Sequence, residues 1–190
     1  MNFNFKNLTS LIIFISLFAC QEKKGKQKNI GNDFTKTEIK YATGFEILNY
    51  KNYKKLIIKA PFLDSDDRFE FILANKPSQE ATIQIPLNNI VVTSTTHIPM
   101  LEALQVENKL IGFPNTNYVS SKKTRKNIDS GKVKELGKDE SMNTELLLAM
   151  QPDVVIGYSL NSNNKIYNTI QKIGIPVIMN GEWLEKTPLG

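Results

Sequence analysis

The segment Met142-Asn143-Thr144-Glu145-Leu146-Leu147-Leu148-Ala149-Met150-Gln151-Pro152-Asp153-Val154-Val155-Ile156-Gly157-Tyr158 leaves little freedom in how it folds. Asn143 suits a helix N-cap, because its side-chain oxygen accepts from a free backbone N–H just inside the helix. Met142 before the cap and Leu147 four residues after it are placed to pack as a hydrophobic staple. Pro152 has no N–H to continue a helix and so ends it. Val154-Val155-Ile156 follows as a continuous β-branched run, the pattern of a strand buried on both faces.

The same alternation runs through residues 88–180. Ile90-Val91-Val92-Thr93 reads as a buried strand, followed by the loop Thr95-Thr96-His97. Pro99 suits the first turn of a helix with Ile98, Leu101 and Leu104 on one face. Leu110-Ile111-Gly112-Phe113 is a second strand, closed by Pro114. Residues 115–132 read as a long polar loop, and residues 133–137 as a short third strand. A helix from about Asn164 carries Ile166, Ile170 and Ile173 on one face and ends at Gly174; Pro176-Val177-Ile178-Met179 is a further strand. Strands apolar on both faces and alternating with helices imply an α/β fold: a three-layer α/β/α lobe around a mostly parallel sheet.

Residues 38–87 have another texture and form a small β-rich segment ahead of that lobe. Ile39–Tyr50, Leu56–Ala60 and Arg68–Ala74 are short β-branched and aromatic runs broken by turn residues, which reads as antiparallel strands. Asp64, Asp66 and Asp67 lack the Gly and the closing Glu of an EF-hand loop and read as a polar turn. There is no Gly-x-Gly-x-x-Gly and no internal repeat.

The N-terminus serves export rather than folding. Leu11 to Ala19 is an apolar run too short to span a bilayer, which needs about 20 residues, and of the length of a signal-peptide core. Leu17-Phe18-Ala19-Cys20 resembles a bacterial lipobox, and Cys20 is the only cysteine. Residues 1–19 are thus expected to be a lipoprotein signal peptide and Cys20 the lipidated residue; two or more acyl chains hold a protein on a membrane where one does not. Residues 20–37 are Lys-rich and polar, a flexible tether. The chain carries 24 Lys and Arg against 19 Asp and Glu. That excess is mild, and without a clustered basic stripe it gives no case for nucleic acid. The run Ser120 to Lys126 reads as a solvated loop.

The order of elements in residues 88–190, with Leu-Ile-Gly-Phe-Pro, Val-Lys-Glu-Leu-Gly, the segment Asn143-x-Glu145-x-(apolar)-x-Ala149-x-x-Pro152-Asp153-x-(apolar) and a closing Ile-Gly-Ile-Pro-Val-Ile, resembles the periplasmic-binding domain shared by vitamin B12, ferric-siderophore and haem binding proteins. Gly181-Glu182-Trp183 and the residues to Gly190 resemble the stretch before that family's second lobe. The resemblance implies two α/β lobes joined by a stiff helix, with ligand in the cleft between. By that resemblance only the first lobe is expected here, truncated, with the second missing. It further implies an extracytoplasmic lipoprotein of the cell envelope, anchored on the periplasmic face. Such a protein is a monomer that delivers a ferric siderophore, cobalamin or haem to the permease of an ABC importer. The matching Glu145 would dock on that permease, although an acid in a first helical turn also simply suits the helix dipole.

Ligands of open α/β sheets bind beyond the carboxyl ends of the strands. Here those ends supply Thr95, Thr96, His97, Asn115, Tyr118, Tyr158, Ser159 and Trp183 as the expected ligand wall, suited to a large ligand with aromatic and polar edges. His97 is placed equally well as a ligand contact or as a helix-start residue. Trp183 needs a surface to cover. Lysines at 120–126 favour an anionic siderophore, and the aromatics a corrin or haem; the sequence leaves both open. With one His, no free Cys and no nucleophile elbow there is no catalytic set, no resident metal site and no cofactor to expect. A non-catalytic adhesion or structural lipoprotein is the alternative, and the βαβ pattern argues against it.

Overall fold

The computed structural model describes residues 34–63, 65–76, 82–162 and 164–190. The signal peptide, Cys20 and most of the tether lie outside the described residues. So does Asp64 of the acidic turn.

Two sheets are formed. The first comprises β1 (Thr35–Lys36), β2 (Phe45–Asn49), β3 (Tyr53–Lys59), β4 (Arg68–Ala74) and β5 (Ile83–Gln84), in that spatial order. Its pairs are antiparallel except the last. One face carries Leu56, Ile58, Phe69, Phe71 and Leu73 toward the core. The other carries Glu46, Lys55, Lys59 and Glu70, paired as Lys55–Glu70 at 2.9 Å and Lys59–Glu46 at 3.3 Å. Ile57 lies between those lysines and is still buried, because lysine stems cover apolar surface while their ammonium groups reach water. Thr35–Lys36, which composition assigns to the tether, is tied in as an edge strand. The Ile39–Tyr50 strand is shorter than its sequence suggests and begins at Phe45.

The second sheet is parallel throughout, in the order β12-β11-β6-β7-β8, with β6 (Ile90–Val92), β7 (Leu110–Phe113), β8 (Lys134–Glu135), β11 (Val154–Gly157) and β12 (Val177–Met179). Side chains alternate along its strands. Val91, Val155 and Val177 pack with Leu147 of α3 (Thr144–Met150) and with Tyr167 and Ile170 of α4 (Lys165–Lys172). Ile90, Val92 and Val154 pack with Ile98 and Leu101 of α1 (His97–Ala103) and with the first sheet. Burying one such side chain stabilises by about 1.5–3 kcal/mol, so a sheet covered on both sides is the stable arrangement for this sequence.

The Pro-Asp pair of the segment read first has a concrete task. Asp153 Oδ2 accepts from Asn88 N at 2.6 Å and Asn89 N at 2.9 Å, setting the start of β6 beside the start of β11. Asn143 caps α3 by accepting from Leu146 N at 2.9 Å, and Met142 shares a core cluster with Leu147.

Three expectations need correction. The polar loop at 115–132 contains a 3-10 turn, Thr116–Tyr118, and a helix, α2 (Lys122–Asp129). Ser121 caps it at Thr124 N, Thr124 and Ile128 face inward, and Arg125 donates to the carbonyl of Val119 at 3.0 Å. The basic run is therefore helical, with one of its charges committed internally. Leu104 is not on the buried face of α1; it caps the helix and is 71% exposed. The strand at 133–137 is only Lys134–Glu135; Val133 and Leu136 are core residues on either side. The chain then turns into a hairpin, β9 (Gly137–Lys138) with β10 (Ser141–Met142).

Candidate functional site at the carboxyl edge of the parallel sheet

The strand ends β6, β11 and β12 converge through hydrogen bonds rather than through sequence proximity. Beyond β6, Thr93 shares a 2.7 Å hydrogen bond with the Tyr167 hydroxyl of α4. That hydroxyl donates to Tyr158 O at 3.0 Å, and Tyr158 N donates to Thr93 Oγ1 at 3.0 Å. Tyr167 reaches this position because Gly157 has no Cβ; one added there would stand 2.9 Å from the Tyr167 ring. Burial pushes the Tyr167 hydroxyl above its ordinary pKa, and the nearby Asp139 charge adds to this, against the opposing hydrogen bonds from Thr93 and Tyr158. It stays a neutral donor that fixes where Tyr158 leaves the sheet.

Beyond β12 the chain makes a 3-10 turn, Glu182–Leu184. Gly181 before it passes against Pro61, where an added Cβ would lie 3.0 Å from backbone atoms. Thr96 Oγ1 donates to Glu182 Oε1 at 2.6 Å, and Ser94 Oγ shares a 2.7 Å bond with Thr96. His97 Nε2 stands 3.5 Å from Glu182 Oε2, with no hydrogen bond between them. Burial raises the Glu182 pKa, but the imidazole and the Thr96 hydroxyl outweigh it and hold the carboxyl below its usual range. Trp183 packs edge-on against Tyr158, ring centroids 6.3 Å apart, and remains 38% exposed.

The structure thus gathers Thr95, Thr96, Tyr158 and Trp183 on one rim. His97 is below it: at 3% exposure it faces Glu182 and not solvent. Ser159 is buried too, its hydroxyl donating to Asn161 O at 2.8 Å to close a local turn. Asn115 and Tyr118 stand on the β7–β8 side. Asn115 donates its backbone N–H to Gly137 O at 2.8 Å, while Tyr118 is 75% exposed. Glu145 lies apart, exposed in the first turn of α3. Among the described residues no group of three or more acids and histidines is disposed to hold a metal ion, and no helix is long and apolar enough to cross a membrane.

The periplasmic binding protein family matches residues 90–183. Over those residues the chain is similar to the periplasmic binding protein family. An uncharacterized lipoprotein of Methanocaldococcus jannaschii is 25% identical over 170 residues, covering 80% of this chain and 41% of that protein. The periplasmic heme-binding protein RhuT from Roseiflexus aligns over 50% of this chain and 34% of its own, at 17% identity and a TM-score of 0.41. The petrobactin-binding protein YclQ of Bacillus subtilis aligns over 66% and 37%, at 15% identity and 0.44. The vitamin B12 binding protein BtuF of Vibrio cholerae aligns over 50% and 34%, at 13% and 0.38. The chain spans less than half the length of each of these relatives.

Sequence reasoning overlooked Glu182 and Tyr167. Both do their work across the fold. Glu182 meets Thr96 and His97 over some 85 positions of sequence, and Tyr167 meets Thr93 over 74. The one available signal for Glu182 was its place beside the only tryptophan. For Tyr167 it was the hydroxyl on an otherwise apolar helix face.

Proposed function

We propose that this chain is the first, ligand-gathering lobe of a solute-binding protein that captures its cargo outside the cytoplasm and delivers it to the permease of an ABC importer. The family match over the parallel-sheet lobe supports the binding role, and the rim supports its chemistry. Tyr158 and Trp183 offer apolar ring surface, while Thr95 and Thr96 offer hydroxyls at its border. That combination suits a cargo with a broad apolar face and polar edges, a ferric siderophore, cobalamin or haem, carried as substrate. Cys20 is the proposed lipid anchor, which would tether the lobe to the cell-envelope membrane, and Glu145 the proposed contact with the permease. Solute-binding proteins capture and release without making or breaking bonds in their cargo, so this reading assigns no catalysis.

The observation that carries the reading is the exposed Trp183 held edge-on to Tyr158 at the carboxyl edge of the sheet. Trp183 is the only indole in the chain, so it reports on its own site. Haem, cobalamin and ferric siderophores are titrated against its fluorescence, with a free tryptophan amide control to correct for absorption by the ligands. Saturable quenching by one of them, weakened by Tyr158→Ala, is the expected result. Quenching no greater than that of the control for every compound would overturn this ligand class and favour the adhesion or structural alternative.

A further inference from the structure

His97 is the only histidine and Trp183 the only tryptophan of the chain, and the fold sets them one carboxylate apart. His97 opens α1 beneath the rim, and among the described residues neither of its ring nitrogens has a hydrogen-bond partner. Glu182 Oε2, 3.5 Å away, is buried and equally without one. Leaving such groups unpaired in the interior costs free energy. A movement of a few tenths of an ångström would close the gap to a hydrogen bond, and a protonated imidazole would turn that bond to the carboxylate into an ion pair.

The surroundings leave this pairing to the two residues. Glu182 Oε1 is already taken by Thr96. Lys59 of β3 and Glu185 line the adjoining cleft, but Lys59 is paired with Glu46 and Glu185 is bound to Thr43 and Gly44. On α1 itself, Glu102 is bound to Ser121 and Thr124. Trp183 follows Glu182 on the same 3-10 turn, whose other end is confined by the contact of Gly181 with Pro61. The turn therefore has one end fixed by packing and one tied through a carboxylate.

We propose that His97 is a positioning residue that holds Trp183 in the rim through Glu182, and that protonation of the imidazole tightens this hold and makes the rim sensitive to pH. The consequence for cargo rests on the proposed ligand face, but the device itself does not, so it is tested without ligand.

The imidazole resonances of His97 and the indole resonance of Trp183 are followed by NMR in the ligand-free chain from pH 5 to 8, the interval in which imidazoles as a class change charge. Both are expected to move with one shared midpoint. In His97→Gln and in Glu182→Gln the Trp183 step is expected to vanish while the folded spectrum persists. A Trp183 resonance that stays still while His97 titrates, two distinct midpoints, or a His97 that does not titrate in this range would each overturn the proposal. So would a Trp183 step surviving in His97→Gln, which would assign it to another acid such as Asp139. If either variant fails to fold, the co-titration in the unaltered chain decides alone.

Discussion

Glu185 shows what a single side chain contributes to joining the two sheets. Its carboxylate accepts from Thr43 N at 2.8 Å, Thr43 Oγ1 at 2.9 Å and Gly44 N at 2.7 Å. Burial raises its pKa, but the Gly44 and Thr43 donors and the charge of Lys59 outweigh that and leave it lowered. A carboxyl with a folded pKa below its unfolded one adds stability that is full above the unfolded pKa and is lost as pH falls through the folded one. Glu185→Gln is therefore expected to lower stability at neutral pH by about 1 kcal/mol, a low value for charge-assisted bonds because the site is part-exposed. It should also flatten the acid side of a plot of Tm against pH. An unchanged acid limb would mean that Glu185 is not among the groups that titrate on unfolding. Tyr167→Phe is expected to cost about 1–3 kcal/mol, since it deprives buried Thr93 and the Tyr158 carbonyl of a partner, and to shift the emission of Trp183, which packs on Tyr158. A stability loss without a spectral shift would detach Tyr167 from the rim. At this scale the Asn143 cap was legible, because a cap is a local event: its side chain binds a backbone N–H three residues on. Glu182, Glu185 and Tyr167 were not, because their partners lie 74 to 142 positions away.

Elements were readable where hydrophobic periodicity was strong and unreadable where charge hid it. α3, β11, α4 and β12 stand close to where the sequence puts them. α2 was missed because Lys122, Lys123, Arg125 and Lys126 dominate its composition, and its inward face consists of only Thr124 and Ile128. Its polar contacts to Glu102 and to the carbonyls of Thr116 and Val119 are tertiary and have no sequence signature. α3, at seven residues, is too short to persist by its own propensity, so packing must hold it. Asn143→Ala is then expected to cost about 1 kcal/mol through loss of the cap, and Leu147→Ala about 2–5 kcal/mol through loss of a fully buried side chain. Urea unfolding of the two variants measures both, and a cap variant as damaging as the core variant would contradict packing as the chief support of the helix.

Across the whole described chain, the small antiparallel sheet is a structural partner of the parallel lobe. Asp33–Gly190 forms one compact unit. Phe71 of β4 and Ile83 of β5 share a core cluster with Ile90, Val92 and Val154 of the parallel sheet. Glu185 binds the loop before β2, and Pro61 after β3 confines Gly181 at the root of the rim. The first sheet thereby supports the turn that carries Glu182 and Trp183. Sequence texture set residues 38–87 apart from the lobe as a change of secondary structure, yet gave no sign of this shared core, because which faces meet is decided only when the chain closes. If the core is shared, the two sheets unfold together. Tyr53 of the first sheet and Trp183 of the lobe, resolved by their NMR signals, give separate reports, and their urea transitions are expected to coincide. Phe71→Ala, which empties a buried site in the shared core, is expected to lower both midpoints equally, by an amount equivalent to about 3–5 kcal/mol. If the tyrosine transition moved alone, the sheets would be independent folding units, and the support of the rim by the first sheet would fail with it.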